Sequence, residues 1–218
     1  MSSAEFAQKR YDSFLNVLAS RAGKTIESSS RQLLDVGCGT GEFLSVSSRD
    51  GWEVKGVEMS SDSTEIAAKK VGSQNVVCGD IYSPKLANRK FDIITSYHVI
   101  EHLLDPLSFL KQSYLLLKEG GVIFLETPNF GSFGARVRQG NWSQIKPPQH
   151  ISFFTPFSLL FSLKKAGFQR TQTFTVAPTV IESTRELPPV IRALGDLTYE
   201  ILPLFNMGAT LQAIAFKD

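Results

Sequence analysis

Residues 33–44 read Leu-Leu-Asp-Val-Gly-Cys-Gly-Thr-Gly-Glu-Phe-Leu. An apolar run ends in three alternating glycines, Gly37, Gly39 and Gly41, with Asp35 and Glu42 on either side. Such a turn lets the main chain take unusual angles and approach a ligand closely. The spacing narrows the choice of ligand. A dinucleotide fingerprint requires a glycine at the sixth place, where this chain has Glu42, and a phosphate-binding P-loop requires Gly-Lys-Ser/Thr, which does not follow. Acids at both ends favour a ligand that carries positive charge. The chain has three histidines, His98, His102 and His150, and these are its candidates for proton transfer near neutral pH. Glu101, His102 and Glu126 form no dense carboxylate cluster of the kind a hard divalent ion wants, so no metal is expected.

These residues need elements to hold them. Residues 3–21 carry Phe6, Tyr11, Phe14, Leu15 and Leu18 at near-helical spacing, which predicts an amphipathic helix ended by Gly23. Strands are predicted over 32–36, 53–59, 75–78, 91–96 and 122–126, and helices over 42–49 and 61–71. Asp105-Pro106 starts another helix, with Asp as N-cap and Pro at the first position, and Gly120-Gly121 stops it. Residues 128–150 hold Gly131, Gly134, Gly140, Pro147 and Pro148 and read as a long loop. Thr155 caps a helix over 156–166, residues 170–176 make a sixth strand, 188–204 have helical spacing, and 211–216 close the sheet. Strands alternating with helices imply a mostly parallel, doubly wound, Rossmann-like α/β sheet of seven strands with helices on both faces. In that architecture the first strand-to-helix turn faces the ligand crevice. The whole chain reads as one domain. It comprises an N-terminal lid helix (1–24), a cofactor core (31–127), a substrate-side loop (128–150) and C-terminal helices and strands (151–218).

Composition bounds the function class. The 218 residues carry 23 Lys plus Arg against 21 Asp plus Glu, a net charge of +2. That weak charge argues against gripping nucleic acid by bulk electrostatics. The two cysteines, Cys38 and Cys78, are too few for a disulfide scaffold and suggest a reducing, cytoplasmic setting. No signal peptide or transmembrane run is visible. Arg136, Arg138 and Lys146 give the long loop a modest basic character, which a solvated face explains as well as an acidic substrate does. Of the 16 phenylalanines, nine fall between Phe124 and Phe174, and Phe130, Phe133, Phe153 and Phe154 are candidates for an apolar acceptor pocket.

Residues 31–128 resemble the class I S-adenosylmethionine-dependent methyltransferases, in motif order and spacing. The glycine loop resembles their first motif. Gly56-Val57-Glu58 resembles the acidic position that accepts bonds from the ribose. Gly79-Asp80-Ile81 resembles the adenine-edge position, and Phe91 to Ser96 the fourth-strand motif. Val99 to Pro106 and Leu117 to Gly121 also resemble the family. Thr127-Pro128-Asn129 and His150-Ile151-Ser152-Phe153-Phe154-Thr155-Pro156 are similar to one of its subgroups. The resemblance implies S-adenosylmethionine as cofactor, with S-adenosylhomocysteine as product. It places Asp35, Gly37, Cys38, Gly39 and Gly41 around the methionine side, Glu58 on the ribose, Met59, Asp80 and Ile81 at the adenine, and Ser96 and Tyr97 at the methyl end. Catalytic candidates are His150 and His98; a buried hydrogen-bonded histidine and a helix-start residue are the plainer readings. Tyr11, Asn129, Phe130, Phe133 and Phe153 are expected on the acceptor side. Ser96-Tyr97-His98-Val99 lacks the Pro-Pro-aromatic motif of adenine-directed DNA enzymes. The expected reaction is methyl transfer to a hydroxyl oxygen of a small molecule by a monomer or homodimer. N- or C-methylation, a cofactor-binding domain without turnover, and a lipid-surface role for 188–211 are the alternatives.

Overall fold

The computed structural model describes residues 2–22, 31–176 and 201–218. Seven strands form a single sheet in the order β3-β2-β1-β4-β5-β7-β6. The strands are β1 (Gln32–Val36), β2 (Glu53–Glu58), β3 (Val76–Cys78), β4 (Phe91–Tyr97), β5 (Leu117–Pro128), β6 (Arg170–Val176) and β7 (Thr210–Phe216). β3, β2, β1, β4 and β5 run parallel; β7 is antiparallel to both β5 and β6. The mostly parallel seven-stranded expectation is borne out. Strand order reverses between β1 and β4, which opens a crevice at their carboxyl ends.

The sheet is buried on both faces, and neighbouring residues feed opposite cores. Leu33, Ile93, Val122 and Phe124 join one core, and Leu34, Ile94, Ile123 and Leu125 join the other. The first core lies under α1 (Ser3–Val17), α2 (Glu42–Arg49) and α3 (Ser61–Val71); the second lies under α4 (Pro106–Leu116) and α6 (Pro156–Ala166). Caps set the helix starts: Asp105 accepts from Ser108 N–H and Thr155 from Ser158 N–H, both as expected, and Ser60 accepts from Ser63 N–H. α1 starts from a capping box in which Ser2 and Glu5 exchange hydrogen bonds. It is fastened to the sheet by aromatic packing of Phe14 against Phe43 and Phe124.

Two expectations about elements fail. α4 stops at Leu116 rather than at Gly120, because buried Leu117 already pairs with Phe91 in the sheet. Gly120-Gly121 lie inside β5, where Gly120 N–H donates to Lys217 O and Lys217 N–H to Gly121 O. Residues 128–150 are not all loop: α5 (Phe133–Arg138) forms there, capped by the Ser132 side chain and anchored by buried Ala135 and Trp142. Most of the predicted 188–204 helix lies outside the described residues; its end, Leu202–Phe205, is a 3-10 turn. Among the described residues no helix is long and apolar enough to cross a membrane.

Candidate active site

The crevice between β1 and β4 holds a cavity of about 500 Å³, within the usual range for a small-molecule site. Asp35, Gly37, Cys38, Gly39, Glu42 and Tyr97 line it from the sheet side, and Ser2, Phe6 and Arg10 from α1. The loop needs its glycines for two separate reasons. Gly37 has φ +74°, and a Cβ there would stand 2.3 Å from a Val99 methyl. Gly41 (φ +80°) would put a Cβ 2.9 Å from Ala67. Gly37 N–H and Cys38 N–H both donate to Val57 O, which ties the loop to β2. The Cys38 thiol is a filler: it packs against Gly56, where a Cβ would meet the sulfur at 2.6 Å.

The carboxylates have distinct environments. Glu58 accepts from Gly39 N–H through one oxygen and from Ser60 N–H through the other, both at 2.9 Å, so it braces the turn from behind. Glu42 is neutralised by Lys70 at 2.6 Å and accepts from the Thr40 hydroxyl. Burial would raise its pKa, but these bonds lower it. Asp35 is almost fully buried. Burial raises its pKa to about 7, despite a hydrogen bond donated by the Thr95 hydroxyl at 2.8 Å and the nearby Arg10 charge. Among the described carboxylates lining this cavity, Asp35 is the one with a raised pKa.

Beyond Tyr97 lies a smaller cavity of about 180 Å³, lined by Phe6, Arg10, Tyr97, Phe124, Glu126 and Gln212 among others. Phe6, Arg10 and Tyr97 border both cavities. The Arg10 guanidinium lies 4.3 Å over the Tyr97 ring and 4.7 Å over Phe6. Glu126 accepts a 2.6 Å bond from Gln212 Nε2, which turns Gln212 Oε1 away from it. Among the described residues, Tyr97 Oη, Gln212 Oε1 and Ser96 Oγ are buried without a hydrogen-bond partner, the kind of orphan that a bound polar molecule satisfies. Arg10 and Gln212 escaped the sequence reading. Gln212 interrupts an alternating apolar strand, and that polar intrusion was the available signal.

Several residues expected at the site lie away from the two cavities or are already bonded elsewhere. His98 takes a left-handed φ of +55° and sets Nδ1 3.2 Å from Glu101 and Nε2 3.3 Å from Glu126. Burial opposes its charge, but the two carboxylates prevail and lift its pKa to about 9. With each ring nitrogen facing a carboxylate, His98 is engaged as the partner of Glu101 and Glu126 in this arrangement. Tyr11 is core: its hydroxyl donates to Asp50 at the far end of α2 and accepts from Trp52 Nε1. Asn129 is fully buried, with its amide spent on Asn206 O, Gly208 O and Gly131 N–H. Phe130, Phe133 and Phe153 line neither cavity; Phe130 and Phe153 pack with Trp142 in a partly exposed cluster. The Phe154 ring is buried in the second core. His150 lines neither cavity, and its Nδ1 faces Gln144 O at 2.7 Å.

At the other flank, Met59 is 73% exposed beside the glycine loop, Asp80 is exposed and accepts from Tyr82 N–H, and Gly79 N–H holds Glu58 O. The Ile81 side chain is buried in the second core.

A family model described as a methyltransferase domain matches residues 3–173. The chain is 35% identical over 143 residues to a ubiquinone biosynthesis O-methyltransferase of Caulobacter vibrioides, covering 56% of each protein. It is 33% identical over 108 residues to the enzyme of that name from Actinobacillus pleuropneumoniae, covering 45% of this chain and 46% of that one. The chain thus spans about half the length of these curated relatives. A crystal structure of a SAM-dependent methyltransferase from Archaeoglobus fulgidus superposes with a TM-score of 0.69 at 25% identity, covering 99% of this chain and 95% of that one.

Proposed function

The chain belongs to the methyltransferase domain family, and from that premise we propose that it transfers a methyl group from S-adenosylmethionine to a hydroxyl oxygen of a small acceptor. The observation that carries this is the pairing of the two cavities across Tyr97 and Arg10. The larger cavity fits the cofactor's chemistry. Its glycine turn leaves room for close approach, and a buried carboxyl at Asp35 and an orphaned Tyr97 hydroxyl face a ligand that carries a sulfonium and an ammonium. Glu58, already fixed at the turn, stands where ribose hydroxyls would add to its bonds, with exposed Met59 and Asp80 on the adenine side. When bound, the cofactor supplies a methyl group activated for in-line displacement.

This chain's residues then align and desolvate. Phe6 and Phe124 exclude water from the smaller cavity. Gln212 Oε1 and the Tyr97 hydroxyl orient the acceptor by hydrogen bonds. Glu126, kept ionised by His98 and Gln212, is the proton acceptor that lines this cavity. The acceptor hydroxyl gives its proton towards Glu126 as its oxygen takes the methyl group, and S-adenosylhomocysteine is left. The small-molecule acceptor agrees with the names of the curated relatives, which match through only part of their length. Free Cys38 and Cys78 fit a reducing compartment such as the cytoplasm.

The test is calorimetry with S-adenosylhomocysteine followed by a methyl-transfer screen over phenols, sugars, acids and amines. Micromolar binding and O-methylated product are expected. Absence of binding by folded protein removes the proposal, and methylation confined to amines moves it to N-transfer.

A further inference from the structure

We propose that Glu101, His102 and His150 form a binding site for a divalent transition-metal ion, contrary to the expectation of no metal. One ligand atom from each of the three lies within 4.8 Å of the others. Glu101 and His102 sit on the 3-10 turn after β4, and His150 comes from the end of the 128–150 segment.

The hydrogen bonds determine which ring atoms are free. His102 Nδ1 lies 2.8 Å from Gln149 O, and His150 Nδ1 lies 2.7 Å from Gln144 O. A carbonyl oxygen only accepts, so each Nδ1 carries the proton, and each neutral ring is left with its lone pair on Nε2. A backbone carbonyl fixing the tautomer in this way is the outer-shell arrangement found behind metal-ligating histidines. Glu101 is held in place from its other sides by the Thr127 hydroxyl and His98. With each Nδ1 turned to a carbonyl, Nε2 is the atom each ring has left to offer beside the Glu101 carboxylate.

The backbone builds the site as a unit. Ile151 N–H and Ser152 N–H donate to Glu101 O, and the Ser152 hydroxyl donates to Leu103 O, so the segment bearing His150 is stitched to the turn bearing the other two ligands. A zinc-like ion with bonds of about 2.0–2.1 Å needs the donors somewhat closer than they stand. His102 is exposed, so an ion can reach it from solvent. Two imidazoles with one carboxylate suit Zn²⁺, Co²⁺, Fe²⁺ or Mn²⁺ better than Mg²⁺ or Ca²⁺, which want more oxygen ligands.

The test uses the full chain, stripped with a chelator and titrated with Co²⁺ near pH 8 while visible d–d absorption is followed. One Co²⁺ per chain is expected, displaced by equimolar Zn²⁺ and resisting a hundredfold excess of Mg²⁺. His102→Ala and His150→Ala should each weaken Co²⁺ binding by about tenfold or more, with S-adenosylhomocysteine affinity within about twofold of wild type as the check on folding. No Co²⁺ band and no retained ion on equilibrium dialysis would overturn the site. So would displacement by Mg²⁺, or full binding by the double variant. The site does not depend on the methyltransferase reading: S-adenosylhomocysteine binding by the stripped wild-type chain tests that reading by itself.

Discussion

Asp35 is where a single residue is expected to report on ligand binding. Its carboxyl is buried and titrates near pH 7, well above the unfolded value. The folded state therefore binds a proton that the unfolded state has released, and stability falls as pH rises between about 4 and 7. Asp35→Asn should remove that slope, which thermal melts across pH will show. A cationic ligand reverses the preference, so S-adenosylmethionine binding should release a proton near pH 6.5 and tighten towards pH 8. Calorimetry in buffers of different ionisation enthalpy measures this, and an unchanged proton count in Asp35→Asn would refute the assignment. Glu58→Ala loses the brace on Gly39 and the charge-assisted bonds to the ribose, and should weaken cofactor affinity by about 1–3 kcal/mol. Glu126→Gln should leave that affinity alone and slow transfer by about a hundredfold, the lower end for a lost general base. Equal rates would return the proton to solvent.

Among the elements, the glycine turn and α1 do different jobs. Gly37→Ala collides with Val99 and forces a left-handed angle on alanine; the site should lose cofactor while the fold is destabilised by about 1–3 kcal/mol. α1 is an outer helix whose seat is nevertheless core, since Phe14 is fully buried against Phe43 and Phe124. Phe14→Ala should cost about 3–5 kcal/mol by chemical denaturation, far more than an independent flap would lose. This double duty explains what the sequence showed and hid. The periodicity of residues 3–21 announced the helix, and Tyr11 and Phe14 looked alike on its apolar face. Only the sheet's twist and the path of α2 decide that Tyr11 reaches Asp50 and Trp52 while Phe6 and Arg10 reach the cavity.

Over the whole molecule, what was legible was what depends on local chemistry. Strand–helix alternation, caps and the Asp-x-Gly-x-Gly-x-Gly turn gave the sheet and the crevice. What was illegible depends on long-range pairing. Gly120-Gly121 read as a helix stop because nothing nearby in sequence shows that residue 217 bonds across them. The carboxylate partners of His98 were hidden, because Glu126 is brought to it by the next strand of the sheet. Phe130, Phe133, Phe153 and Phe154 read as an acceptor pocket, yet none of them lines either cavity: Phe154 serves the second core, and Phe130 and Phe153 pack in the outer aromatic cluster. The greasy wall of the smaller cavity comes from Phe6 and Phe124 instead.

The direction of β7 has a practical consequence for anyone preparing the protein. β7 runs against β5, with Phe216 beside Val122 and Thr210 beside Pro128, so the chain leaves the sheet at the edge remote from the crevice. Ser2, by contrast, lines the larger cavity and caps α1. An affinity tag joined ahead of Ser2 will emerge at the cavity mouth and compete for the space where ligands enter. The same tag placed after Asp218 will hang from the opposite side, and material made that way is the proper stock for every titration above.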